Sequence, residues 1–266
     1  MIGYRGEPYL RYLPGGIVEE NANSPTTYLN IDRYAAVEVP PTASAVAEPD
    51  WRVVAEDGSY AWHDHRAHWM NTARPPGRAP GDVILEGVIP LRVSGIEVDV
   101  GVRSLWVAAP SILPVLAGMM AGLALVAAAA LRKVRPVALA AMLAAVSAAA
   151  AGVGLTAYLS VPPETGPSWA LWAPPAASAV AAGAAAAGRW FRPLATWSGT
   201  LSVIAALELV VWGFLRREWM WSAIVPTEVP WLDRAVTGAV LVAGIGLLML
   251  VGRALAAGGT TGARSA

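Results

Sequence analysis

Cysteine is absent from all 266 residues. That excludes disulfides, thiolate-ligated zinc and thiol catalysis, while leaving every compartment open. Net charge is absent as well, because 19 basic and 19 acidic residues cancel. No electrostatic field therefore draws this chain to nucleic acid. Lysine is nearly missing: Lys133 is the only one among the basic residues, and such an arginine and alanine bias reflects a GC-rich genome. No serine nucleophile or pair of carboxylates stands at a recognisable spacing, so an enzyme has the least support of any function. A secretory signal is also missing, since Met1 leads straight into the strand-like Ile2-Gly3-Tyr4. The expectation is a gene that starts upstream, with an export signal and the first strands ahead of this sequence.

What is present divides sharply. Residues 1–109 hold all three histidines and most carboxylates, whereas residues 110–266 are dominated by Ala, Leu, Val and Gly. Two such regimes in one chain imply two solvents. A helix needs about 20 apolar residues to cross a hydrocarbon core of about 30 Å. Five stretches qualify: 110–131, 137–158, 169–188, 194–215 and 235–255. The third is the weakest, being Ala-rich with Pro174 and Pro175 near its start. The expected organisation is a β-rich domain over 1–109, a five-helix transmembrane domain over 110–256 and a tail over 257–266.

Orientation follows from the cations. Arg132, Lys133, Arg135, Arg189, Arg192, Arg253 and Arg264 fall on one side of the five spans, against Arg216, Arg217 and Arg234 on the other. The excess places the C terminus in the cytoplasm and the N-terminal domain outside a multi-pass cell-membrane protein. Removing the third span would invert the fourth and fifth and destroy this agreement. Trp169, Trp172, Trp212, Trp219, Trp221 and Trp231 cluster at the outer ends, where an apolar ring with a polar N–H suits the headgroup region. The loop 216–221 is expected on the membrane surface. Gly118 and Gly122 form a small-xxx-small pair for close helix packing. Glu208 stands about 10 Å inside the fourth span at 1.5 Å per residue. A carboxylate there is either functional or protonated and bonded to a neighbouring helix.

The outer half punctuates like a small β-sandwich. Strands are expected over 8–13 and 17–20, joined at Pro14-Gly15-Gly16, and over 51–55 and 59–65, joined at Asp57-Gly58. A last hairpin is expected over 83–93 and 96–107, with its turn near Ser94-Gly95.

All three histidines occur in one segment, Trp62-His63-Asp64-His65-Arg66-Ala67-His68-Trp69-Met70. On a strand, His63 and His65 would share a face because side chains repeat every two residues. A turn at Arg66-Ala67 would bring His68 and the Met70 thioether to the same point. Imidazole with thioether favours copper over magnesium or calcium, and the lack of cysteine makes structural zinc less natural. The alternative is structural: Asp64 pairs with Arg66, and the histidines bond to backbone at a domain corner.

The stretches Gly6-Glu7-Pro8-Tyr9-Leu10-Arg11, Asn23-Ser24-Pro25-Thr26-Thr27-Tyr28-Leu29-Asn30 and the histidine segment resemble a family of uncharacterised bacterial membrane proteins. The resemblance implies an extracytoplasmic β-domain followed by several helices, and it supplies no activity. Over fewer than ten residues, Trp62-His63-x-His65 followed by Met70 is also similar to the copper-binding segment in the cupredoxin-like component of particulate methane and ammonia monooxygenases. Here the methionine stands further from the histidine pair, and the N-terminal histidine ligand of that family has no counterpart. The resemblance implies a cupredoxin- or immunoglobulin-like copper-holding domain on a membrane anchor, not a dicopper oxidase.

Two functions compete. One is metal handling, with copper on His63, His65, His68 and Met70 and Glu208 in the membrane. The other is an envelope scaffold whose β-domain binds a membrane or extracytoplasmic protein partner, its histidines serving structure alone. Both require the lipid bilayer and neither requires nucleic acid.

Overall fold

The computed structural model describes residues 1–161, 169–188 and 190–262. The chain divides into two compact units that meet at Ala108 and Ala109.

In the first unit, β1 (Leu10–Tyr12) and β2 (Val18–Asn21) form an antiparallel hairpin with Leu10 opposite Glu20. Its turn needs two left-handed residues in succession, and Gly15 and Gly16 supply them at φ 87° and 86°. β3 (Trp51–Ala55) pairs antiparallel with the other edge of β2. Tyr9, Leu10 and Val18 are buried at this sheet. A one-turn helix, α1 (Pro25–Leu29), follows β2 and is capped by the Ser24 hydroxyl. Glu7 is buried beside this turn, where its carboxylate accepts from the Ser24 and Thr26 hydroxyls at 2.8 and 2.7 Å and from the Arg5 N–H at 2.9 Å. Burial pushes the Glu7 carboxyl up, but those hydrogen bonds outweigh it and hold the group below its ordinary value.

β4 (Val83–Val93) and β5 (Ile96–Leu105) form a separate long ribbon, turned at Ser94 and Gly95. Strands thus form within or close to the expected stretches 8–13, 17–20, 51–55, 83–93 and 96–107. The expected strand over 59–65 does not form; after β3 the chain runs irregularly into a 3-10 turn, His65–Ala67. The unit is β-rich, with a three-stranded sheet and a two-stranded ribbon, and the five strands do not show a full sandwich.

The second unit is helical: α2 (Leu113–Leu131), α3 (Pro136–Ser160), α4 (Ala173–Ala187), α5 (Arg192–Leu215) and α6 (Pro230–Gly262). Proline occupies the first turn of all five, where its missing N–H costs nothing. Four of them, all but α4, are long and apolar enough to cross a membrane. The expected third span corresponds to α4, the shortest of the five helices. Its 15 residues cover only about 22 Å at 1.5 Å per residue, less than the hydrocarbon thickness. Residues Trp169–Leu171 form a separate 3-10 turn instead. The helix nevertheless carries the chain back. The start of α3, the end of α4, the start of α5 and the late part of α6 all line one cavity. Of the expected cytoplasmic cations, Arg189 and Arg264 lie outside the described residues, as do residues 263–266 of the tail.

Small residues set the packing. α2 lies on α6 so closely that a Cβ on Gly118 would come within 1.8 Å of the Ala235 carbonyl oxygen, and one on Gly122 within 2.6 Å of that of Ala239. Gly154 of α3 admits the Leu171 carbonyl in the same way, at 2.0 Å. That carbonyl accepts the Trp212 indole N–H at 2.9 Å. Trp212 is therefore a buried packing residue rather than a headgroup anchor, whereas Trp221 and Trp231 are exposed.

The loop charges need a second correction. Arg216 and Asp233 are 4% and 0% exposed and form a buried ion pair. The Arg216 guanidinium lies 4.7 Å from the Trp212 ring centroid and 3.9 Å from that of Trp219. Arg234, also buried, donates to the Ser222 carbonyl at 2.7 Å. Two of the three cations counted at this end thus hold the α5–α6 corner together. The intervening Arg217–Met220 turn buries Met220.

Gly118→Val should destabilise the purified chain by about 3 kcal/mol or more in detergent, since neither helix backbone can retreat without losing its packing. Gly152→Ala, at a glycine with open space around it, should be neutral or stabilising. Thermal unfolding in micelles compares them, and equal midpoints for the two variants would refute the close α2–α6 contact.

Candidate metal centre

The histidine segment depends on Asp64. Its carboxylate caps the 3-10 turn by accepting the Arg66 backbone N–H at 3.0 Å. It also receives the Arg66 Nε and Nη2 at 2.9 and 2.7 Å, and the Trp62 indole N–H at 3.3 Å. Asp64 is only 6% exposed. Burial pushes its carboxyl up, but the Arg66 hydrogen bonds and charge outweigh that and keep the group ionised below the ordinary carboxylate value. Arg66 in turn donates to the Ile2 carbonyl at 3.1 Å and lies 5.0 Å above the Tyr4 ring. The turn also rests on β4, where a Cβ on Gly87 would come within 2.6 Å of the Arg66 carbonyl oxygen.

This turn, rather than a strand, assembles the imidazoles. One ring nitrogen from each of His63, His65 and His68 lies within 4.8 Å of the others. Each histidine is partly buried. The Nε2 atoms of His63 and His68 are 2.7 Å apart. His68 has Nδ1 3.0 Å from the Trp69 carbonyl oxygen, and His65 has Nε2 2.9 Å from that of Asp32. A carbonyl only accepts, so the facing nitrogen carries the proton in each ring. That leaves Nε2 of His68 and Nδ1 of His65 as bare lone pairs. Two of the three rings are thus oriented from behind by a carbonyl, as ligating histidines commonly are. Burial, followed by the neighbouring His68 and His65 rings, holds His63 below the ordinary imidazole value. A depressed imidazole is neutral at pH 7, the form that binds a metal.

Tyr4 completes the frame. Its ring stacks on His65 at 5.6 Å and 6°. Its hydroxyl accepts the His65 backbone N–H at 2.8 Å and donates to the Asn30 side-chain oxygen. Burial pushes the phenol up to about 12, so it stays a neutral donor. Tyr4, Asn30 and Asp32 were not legible as site residues, because they lie 33 to 61 positions before His65 and carry no metal-binding pattern. Met70 stands two residues past His68 with its side chain 37% exposed. Glu208 is elsewhere, in the helical unit, where it accepts the Ser178 hydroxyl of α4 at 2.6 Å.

The arrangement contains both sequence-derived alternatives at once. The Asp64–Arg66 pair is present, at 2.7 Å, and so is the cluster of three histidines. The pair does not consume the imidazoles; it fixes the backbone from which they project. No protein-family model, curated protein or solved structure matches this chain.

Asp64→Asn should cost about 2 kcal/mol at pH 7, because it leaves the part-buried Arg66 without its counter-charge. Asp64 has a lowered pKa in the folded state. Its contribution is therefore present above the unfolded value of 3.8 and lost as pH falls through the folded one. Urea unfolding of both proteins should show a gap at pH 7 that closes as pH falls below 3.8 and through the lowered folded value. Equal stability at pH 7 would remove Asp64 from this role.

Proposed function

We propose that this protein is a membrane-anchored copper-handling protein. In this reading its β-rich domain lies outside the cytoplasm and its C terminus inside. The carrying observation is the contact between two imidazole Nε2 atoms at 2.7 Å, with His68 held from behind by a carbonyl. Two bare lone pairs at that distance repel, so without a cation one ring must carry a proton there and donate to the other. A metal removes that requirement.

Imidazole with a thioether two residues on favours copper over magnesium or calcium, and the absence of cysteine makes a structural zinc site less natural. His65 would supply a third nitrogen, and Met70, two residues past His68, a soft sulfur. A cupredoxin-like sandwich belongs to the same proposal, and would require strands beyond these five.

The copper would supply reversible binding of a soft or borderline ligand set. The chain's own residues hold His63 below the ordinary imidazole value, orient His65 and His68 from behind and anchor their turn. Among the described residues Glu208, hydrogen-bonded between α4 and α5, joins no ladder of ligands across the bundle. The reading is therefore capture or delivery of metal rather than its passage. A scaffold that binds a protein partner is favoured by one observation, the Asp64–Arg66 clamp, which a purely structural corner would also need.

Detergent-purified protein, loaded with copper and desalted, should retain about one copper per chain by elemental analysis. His63→Ala/His65→Ala/His68→Ala should lose it while keeping its elution profile. Retention should fall on acidification as protons compete for the imidazoles. No retained copper in the unaltered protein would overturn the proposal in favour of the scaffold.

A further inference from the structure

Among the described residues, one end of the helical unit carries only positive charge. Residues 129–160 and 234–262 contain no Asp or Glu, yet they include Arg132, Lys133, Arg135 and Arg253. The carboxylates of α5 and α6 are Glu208 and Asp233, both already engaged, with Ser178 and Arg216. Lys133 and Arg253 are exposed, and among the described residues no carboxylate pairs with either.

These two cations line the same cavity. It has a volume of about 400 Å³ between α2, α3 and α6, with Ala129, Leu139 and Leu250 among its walls. A second cavity of about 360 Å³ lies between α3, α4, α5 and α6, lined mostly by small and apolar residues such as Ala140, Ala185 and Gly199. Its Ser198 and Ser202 hydroxyls donate to carbonyls of their own helix, so they ask nothing of an occupant. Leu139 and Ala254 line both cavities, so one apolar ridge divides them. Apolar grooves of this kind need filling atoms, because a void forfeits dispersion contacts on every wall.

We infer that this end of the bundle is a binding site for one anionic phospholipid. The headgroup phosphate lies against Lys133 and Arg253, and the acyl chains lie in the two cavities astride the Leu139–Ala254 ridge. Charge complementarity selects the headgroup: two unpaired cations attract a net negative phosphate, whereas a zwitterionic headgroup brings its own cation. The apolar cavities select a lipid over free phosphate. Basic pockets between membrane helices recognise anionic lipids by this combination. The site is independent of the histidine turn and of any metal there.

The test is native mass spectrometry of the full chain released from micelles. It would be titrated with phosphatidylglycerol, with phosphatidylcholine and with inorganic phosphate. Phosphatidylglycerol should give one saturable adduct, favoured over phosphatidylcholine by about 10-fold or more. Lys133→Gln/Arg253→Gln should weaken it about 30-fold, at about fivefold per cation. Ala130→Trp, at an exposed position lining the larger cavity, keeps both charges and should also weaken it. Unchanged melting in lipid-free micelles would show that these variants fold. Equal binding of the two lipids, an unaltered adduct in the charge variant, or full competition by inorganic phosphate would each overturn the inference.

Discussion

The ion pair of Asp64 with Arg66 is the constraint on which the rest of the site depends. A carboxylate buried to 6% exposure and supplied with four donors cannot move without stranding several of them. It forces one turn of 3-10 helix, and that turn sets His65 and His68 around His63. The guanidinium then ties the turn to Ile2 and Tyr4, at the far end of the domain's sequence. The cost of burying charge is offset locally, and its effect is geometric: imidazole lone pairs converge because the backbone beneath them has one arrangement.

The helical unit solves a different problem. Between apolar helices in a membrane no hydrophobic gradient drives association, so close backbone contact and buried polar pairs must hold the bundle. Gly118, Gly122 and Gly154 supply the first. Arg216 with Asp233, and Glu208 with Ser178, supply the second. α4 is short, yet it is held between α3 and α5, where the Trp212–Leu171 hydrogen bond fixes the turn before it. At the basic end Gly188 and Gly199 bring α4, α5 and α6 close, with no buried ion pair among the described residues.

Much of this was legible in the residues. Strands at 51–55 and 83–93 follow from alternation between turn signals, and Gly15-Gly16 announces its own left-handed turn. Long apolar runs with at most one charge mark the long helices, and three histidines within six residues mark the site. Other features were misread for identifiable reasons. Arg216 and Arg234 count as loop charges in sequence, because nothing there reveals that Asp233, 17 positions after Arg216, folds back as its partner. Trp212 looks like a headgroup anchor until the Leu171 carbonyl is seen to take its N–H. Residues 59–65 alternate like a strand but do not form one, and Asp64 caps a turn instead.

By itself the sequence determined whatever depends on local period and composition: which half is β-rich, which stretches can cross a bilayer, and which side chains could ligate a metal. Strand and helix patterns repeat every two or about 3.6 residues and need no distant partner. Only the tertiary structure decided how the histidines face one another, that Tyr4 and Asp32 support them, and which charges are buried in pairs. Those outcomes rest on contacts between residues tens of positions apart. Burial and hydrogen bonding select such contacts only once the chain has closed on itself.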